Sequence, residues 1–113
     1  MSHSPHEYIR HILDEIDYLL GESSERDFET FMRDETLKRA FVRSLEIIGE
    51  AAKKVPPHFR EKCPDIEWRK ITGMRDRLIH NYMGVDYGIV WNVVTNKLEV
   101  LKDQLQTLLA EVQ

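Results

Sequence analysis

The sequence predicts an all-α protein: an up-and-down four-helix bundle with one or two additional short helices. Three observations carry this. Apolar residues recur at spacings of three and four along most of the chain. Capping residues and prolines punctuate those stripes at helix-length intervals. No alternating apolar–polar segment is bounded by turn dipeptides such as Asn-Gly, so strand signals are weak throughout.

The elements follow in order. Ser4-Pro5 reads as a helix start, a capping hydroxyl followed by a proline whose missing N–H costs nothing at that position. Ile9, Ile12, Leu13, Ile16, Leu19 and Leu20 form one stripe, and Gly21 reads as the stop, giving a helix over about His6 to Leu20. Residues 26–32 suit a short helix presenting Phe28 and Phe31. Asp34 is placed to cap a long helix with Leu37, Ala40, Phe41, Leu45, Ile48, Ala51 and Ala52 inward. Small residues at Gly49, Ala51 and Ala52 leave room for a neighbouring helix, and Val55-Pro56-Pro57 ends the element. Pro57 to Pro64 is a connection with space for one helical turn. Asp65 is placed to cap a helix carrying Trp68, Ile71, Leu78 and Ile79; Gly84 breaks the pattern, and Asp86 caps the last helix. There Val94, Leu98, Leu101, Leu105, Leu108 and Val112 make a heptad-like seam suited to antiparallel packing.

Composition bounds the function. The 113 residues suit one domain over 1–113, with no internal repeat. At 42% hydrophobic and 32% charged, the chain is neither a disordered nor a membrane type. No apolar run approaches the roughly 20 residues of a bilayer span, and the N-terminus lacks the basic start and apolar run of a signal peptide. A cytoplasmic location and no membrane association follow as expectations. Cys63 is alone, so it forms no internal disulfide and no thiolate zinc site. A net charge of −4 argues against a protein coated in basic surface for duplex nucleic acid but leaves room for a local basic site.

Few residues carry chemistry. There is no phosphate-cradling glycine loop, no Gly-x-Ser-x-Gly elbow and no His-Glu-x-x-His pair. His3, His6 and His11 lack supporting carboxylate spacing and read as surface residues at a frayed end; no metal site and no cofactor are expected. Glu46 and Glu50, four apart, have the spacing of an acid–base pair, but Glu50 also stands four before Lys54, an ordinary helix-stabilising arrangement.

What remains is Arg75, His80 and Tyr82, as Arg-x4-His-x-Tyr. Shuffling this composition gives about 0.4 chance matches to Arg-x4-His, but only roughly 0.01 once the tyrosine is required. Arginine offers a permanently charged fork of donors that matches a phosphate. Histidine titrates near neutrality and exchanges protons. Together they suit RNA cleavage by the 2′-hydroxyl, with His80 as acid or base and Arg75 stabilising the phosphoryl transition state. Asp76 is placed to orient either. Arg69, Lys70 and Arg77 add positive charge over 67–77, as a weak RNA-binding surface or simply a solvated helix face. On a straight helix Arg75 and His80 stand roughly 140° apart. They meet either where the helix loosens near His80 or where a two-fold dimer brings a second copy alongside.

Three segments carry a further resemblance: Ser44-Leu-Glu-Ile-Ile-Gly-Glu-Ala-Ala-Lys53; Ile66-Glu-Trp-Arg-Lys-Ile-Thr-Gly-Met-Arg-Asp76; and Leu78-Ile-His-Asn-Tyr-Met-Gly-Val-Asp86 leading into Val90-Trp91. The stretch from Ser44 to Thr95 resembles the HepT-like branch of the HEPN superfamily, and the helical order of the rest fits. The resemblance implies an all-helical homodimer, open to higher assembly with a partner. It implies a metal-independent endoribonuclease toxin of a type VII toxin–antitoxin pair, whose partner is an MntA-like nucleotidyltransferase antitoxin. Arg75, Asp76 and His80 match its nuclease motif. Tyr82 matches the tyrosine that the antitoxin AMPylates to silence the toxin. Nucleotide phosphates beside Arg75 would occupy the RNA-binding cation. The alternative is a non-catalytic nucleotide- or protein-binding module that partners the transferase without cleaving RNA.

Overall fold

In the computed structural model, described over residues 4–81 and 84–111 with backbone alone at 79–81, helices dominate. The first, α1 (Pro5–Ser23), starts as expected, with Ser4 Oγ accepting from the Glu7 N–H. It runs through Gly21 rather than stopping there. The stripe continues to Leu19, the Ser23 and Ser24 hydroxyls bond back to the Leu20 and Gly21 carbonyls, and no left-handed cap is needed. A short α2 (Phe28–Arg33) follows, capped by Asp27 on the Thr30 N–H.

The longest helix, α3 (Glu35–Lys54), is capped by Asp34, whose Oδ1 accepts from the Leu37 N–H at 2.9 Å. Proline ends it, and α4 (Pro57–Arg60) supplies the expected single turn. Arg60 folds back: its Nε donates to the Val55 carbonyl at 2.9 Å, and its Nη2 to Ala52 at 3.0 Å and Lys53 at 3.3 Å. These carbonyls lie at the helix end, where the ladder runs out; Ala52 also accepts the Val55 N–H at 3.2 Å. The same guanidinium stands 5.8 Å from the Trp68 ring centroid.

The segment expected as one helix capped by Asp65 is two five-residue pieces, α5 (Trp68–Thr72) and α6 (Met74–Leu78). Glu67, not Asp65, stands at the start of α5, with no side-chain capping bond. Thr72 Oγ1 bonds back to the Arg69 carbonyl, and Gly73 takes a backbone conformation off the helix (φ −90°, ψ 11°), which offsets the two pieces. After Leu78 the chain is extended. Strand β1 (Ile79–Asn81) pairs antiparallel with β2 (Gly84–Val85), and the Asp86 N–H closes the hairpin on the Leu78 carbonyl at 2.9 Å.

Asp86 then caps α7 (Tyr87–Asn96) as expected, accepting from the Ile89 N–H. The final element divides at Lys97 into α7 and α8 (Leu98–Glu111). A β-branched run, with Thr95 Oγ1 bonded to the Trp91 carbonyl, loosens the ladder there. The seam crosses the break intact, with Val94, Leu98, Leu101, Leu105 and Leu108 all buried; Val112 lies outside the described residues.

Packing joins these pieces into one core. The inward stripe of α1 (Ile9, Ile12, Ile16, Leu19) meets that of α3 on one side and α8 on another. The α5–α6 segment and α7 close the remaining faces. Gly49 is a point of close approach: a Cβ there would stand 3.1 Å from the Ile71 carbonyl oxygen and 3.5 Å from Met74 Cβ. The small residues of α3 thus receive the segment that carries Arg75. At one end of the bundle, Phe31 sits among Phe41, Trp91 and Tyr87, with ring centroids 5.0, 5.0 and 6.3 Å away, and Lys38 Nζ lies 4.6 Å from the Tyr87 centroid.

Candidate active site

The local backbone decides how the motif is presented. Met74 and Leu78 are buried and pin α6 to the core, leaving Arg75, Asp76 and Arg77 on its exposed side. Helix ends at Leu78, two residues before His80, so the two residues do not share a helical register. The 140° separation on a straight helix therefore does not apply. The chain leaves the helix before His80. Tyr82 lies outside the described residues, as does His3.

Arg75 meets Glu46 of α3, with Nε to Oε2 at 3.7 Å. The guanidinium side chain is 72% exposed and the carboxylate 22% exposed, so a largely covered anion reaches a largely free cation. Glu46 and Glu50 do not pair with each other as acid and base. Glu50 meets Arg43 at 3.5 Å instead of Lys54. Sequence reasoning missed Glu46 as a partner of Arg75. The available signal was its place one turn before Gly49, on the face where a neighbouring helix had room to approach.

The other basic residues of the segment face elsewhere. Lys70 pairs with Glu67 at 2.6 Å. Lys70 and Arg77 line a groove of about 330 Å³ between α5–α6 and α7–α8, with Lys97 on its far wall and Ile71, Met74 and Leu101 among its apolar lining. The Lys70 ammonium, as hydrogen-bond donor and as charge, holds the Glu67 carboxyl below the usual range, and Lys97 and Arg77 add to the effect. Arg69 is exposed on α5 outside that groove. The positive charge over 67–77 is thus divided: Arg75 toward α3, Lys70 and Arg77 toward α8.

Among the described residues, no three His, Cys, Asp or Glu side chains converge as a metal site would require. His6 packs edge-on against Phe59, centroids 5.3 Å apart. No helix among them is long and apolar enough to cross a membrane.

A family model described as "Ribonuclease HepT-like" matches residues 7–108, nearly the whole chain and all of the site. The chain belongs to the HepT-like family. Its relatives include a protein of Caldanaerobacter subterraneus subsp. tengcongensis named "Putative RNase", 46% identical over 94% of this chain and 95% of that protein. A "Probable ribonuclease HepT" of Thermococcus cleftensis is 38% identical over 96% of this chain and 98% of its own length. No solved structure matches. The architecture, helical but for one short strand pair, is the one expected of a HepT-like chain.

Proposed function

We propose that this protein is a metal-independent endoribonuclease, the toxin of a type VII toxin–antitoxin pair. The observation that carries the reading is the family match across residues 7–108, which spans Arg75, Asp76 and His80 on a segment where helix gives way to extended chain. In the proposed reaction the 2′-hydroxyl loses its proton to a base and attacks the adjacent phosphorus. The P–O5′ bond breaks and the leaving oxygen takes up a proton. The products end in a 2′,3′-cyclic phosphate and a 5′-hydroxyl. His80 exchanges a proton in this sequence, Arg75 balances charge on the phosphoryl oxygens, and Asp76 orients one of them. Arg69, Lys70 and Arg77 contribute weak electrostatic attraction for the strand. The active species is a homodimer located in the cytoplasm. An MntA-like nucleotidyltransferase silences it by AMPylating Tyr82, placing phosphates where Arg75 would otherwise meet RNA.

The test is cleavage of a labelled RNA by the purified protein with chelator present. His80→Ala is expected to lower the rate about 10²- to 10⁴-fold with the fold intact. Co-expression with the transferase should add AMP mass that disappears in Tyr82→Phe. A wild-type protein that binds RNA or nucleotide without cutting it, and is harmless when expressed alone, would replace this reading with the non-catalytic module.

A further inference from the structure

The Glu46 carboxylate is out of place in a site meant for RNA. It is negative, it stands beside the proposed phosphate-binding cation, and it repels the strand that cation attracts. Its surroundings supply a reason for it. Helix α3 is the most firmly held element near the motif, 20 residues long, with Asp34 capping one end and Arg60 the other. By contrast α6 is five residues, too short to hold itself by its own hydrogen bonds. The two are brought together by backbone, because at Gly49 the Ile71 carbonyl comes within 3.1 Å of where a Cβ would be. One turn back on the same face, Glu46 reaches Arg75 through Nε. Arginine's terminal nitrogens form the outer edge of its donor fork, the edge that engages a phosphate bidentately. A contact through Nε leaves that edge to the substrate.

The strength of the contact points the same way. At 3.7 Å, with the cation mostly in solvent, the pair belongs to the class of exposed ion pairs that contribute little to stability. It is therefore poorly suited to holding the fold and well suited to biasing the direction of a long, flexible side chain. We propose that Glu46 is a positioning residue for the cleavage reaction, fixing the Arg75 guanidinium so that its terminal nitrogens meet the scissile phosphate. This rests on the ribonuclease reading above.

Steady-state cleavage of a short RNA tests it, with wild type, Glu46→Gln, Glu46→Asp, Arg75→Lys and the Glu46→Gln/Arg75→Lys pair. Glu46→Gln should lower kcat about two- to fivefold without raising KM, since so exposed a contact can bias the direction of the Arg75 side chain by no more than that factor. Glu46→Asp should recover part of the loss. In the Arg75→Lys background, Glu46→Gln should have no further effect, because the group it positions is gone. The thermal midpoints should stay together. An incidental carboxylate behaves differently: removing its charge would tighten RNA binding and leave kcat unchanged or higher. That outcome overturns the inference, as does an equal loss in the Arg75→Lys background. Both leave the ribonuclease reading standing. A wild type that cleaves no RNA overturns that reading and this inference with it.

Discussion

Two glycines on long helices offer a controlled comparison of the close approach on α3. A glycine inside a helix costs roughly 0.5–1 kcal/mol relative to alanine. At Gly21, late in α1 and exposed, an added Cβ meets nothing within 4 Å. Gly21→Ala should therefore gain about that whole amount. In a domain of this size the gain should raise Tm by roughly 2–4 °C. At Gly49 the same gain is opposed by the 3.1 Å contact with the Ile71 carbonyl oxygen and the 3.5 Å contact with Met74 Cβ. Forcing a methyl into a well-packed site costs about 1–3 kcal/mol. Gly49→Ala should then lie about 1–3 kcal/mol below Gly21→Ala, roughly 4–12 °C in Tm. Thermal unfolding followed by far-ultraviolet circular dichroism reads both variants, and urea midpoints check that the slope m is unchanged. If both substitutions raise Tm equally, α3 and the α5–α6 segment do not meet at Gly49, and the placement of Arg75 beside Glu46 loses its foundation.

Other outcomes follow from single contacts. Arg60→Ala removes the bonds to Val55 and Ala52 and the contact with Trp68, and should cost about 2 kcal/mol, with Arg60→Lys recovering less than half because it lacks the planar fork. Phe31, fully buried among three aromatic rings, should cost about 3–5 kcal/mol as Phe31→Ala in chemical denaturation, and under about 1.5 as Phe31→Leu. The Asp27 carboxyl lies below the normal 3.8 because it accepts the Thr30 N–H. A folded pKa below the unfolded one means that its contribution is present above the unfolded value and is lost as pH falls through the folded one. Stability should thus decline below about pH 4, and Asp27→Asn, which keeps an acceptor for Thr30, should flatten that part of the acid limb measured by denaturant midpoints.

The long elements were legible because local chemistry and tertiary packing agree on them. Asp34 and Asp86 cap where a short acceptor precedes an apolar stripe, and Pro56-Pro57 stops α3 because proline cannot continue a helix. The breaks were less legible. Thr72-Gly73 and Thr95 loosen helices through side-chain bonds to the backbone, yet the apolar periodicity runs straight across both. The Ile79–Val85 hairpin is too short to show alternation, so only its pairing in three dimensions reveals it. For the candidate site, spacing and resemblance single out Arg75 and His80, and resemblance adds Asp76. The partner of Arg75 could not be read in this way, since Glu46 lies 29 positions away and meets it only because Gly49 lets two backbones approach.

The course of α3 also determines where a second polypeptide can be attached. Near its end, His6 at the start of α1 packs on Phe59 of α4, while α8, held to Asp17 of α1 through Lys102 at 2.8 Å, reaches the Asp65 carbonyl through Gln104 at 3.2 Å. Near its beginning, Lys38 lies over Tyr87, just beyond the hairpin. A 20-residue helix is about 30 Å long, so the start of α1 and the end of α8 lie together at the pole remote from the hairpin. A tag or surface tether at either end would leave the motif facing solution.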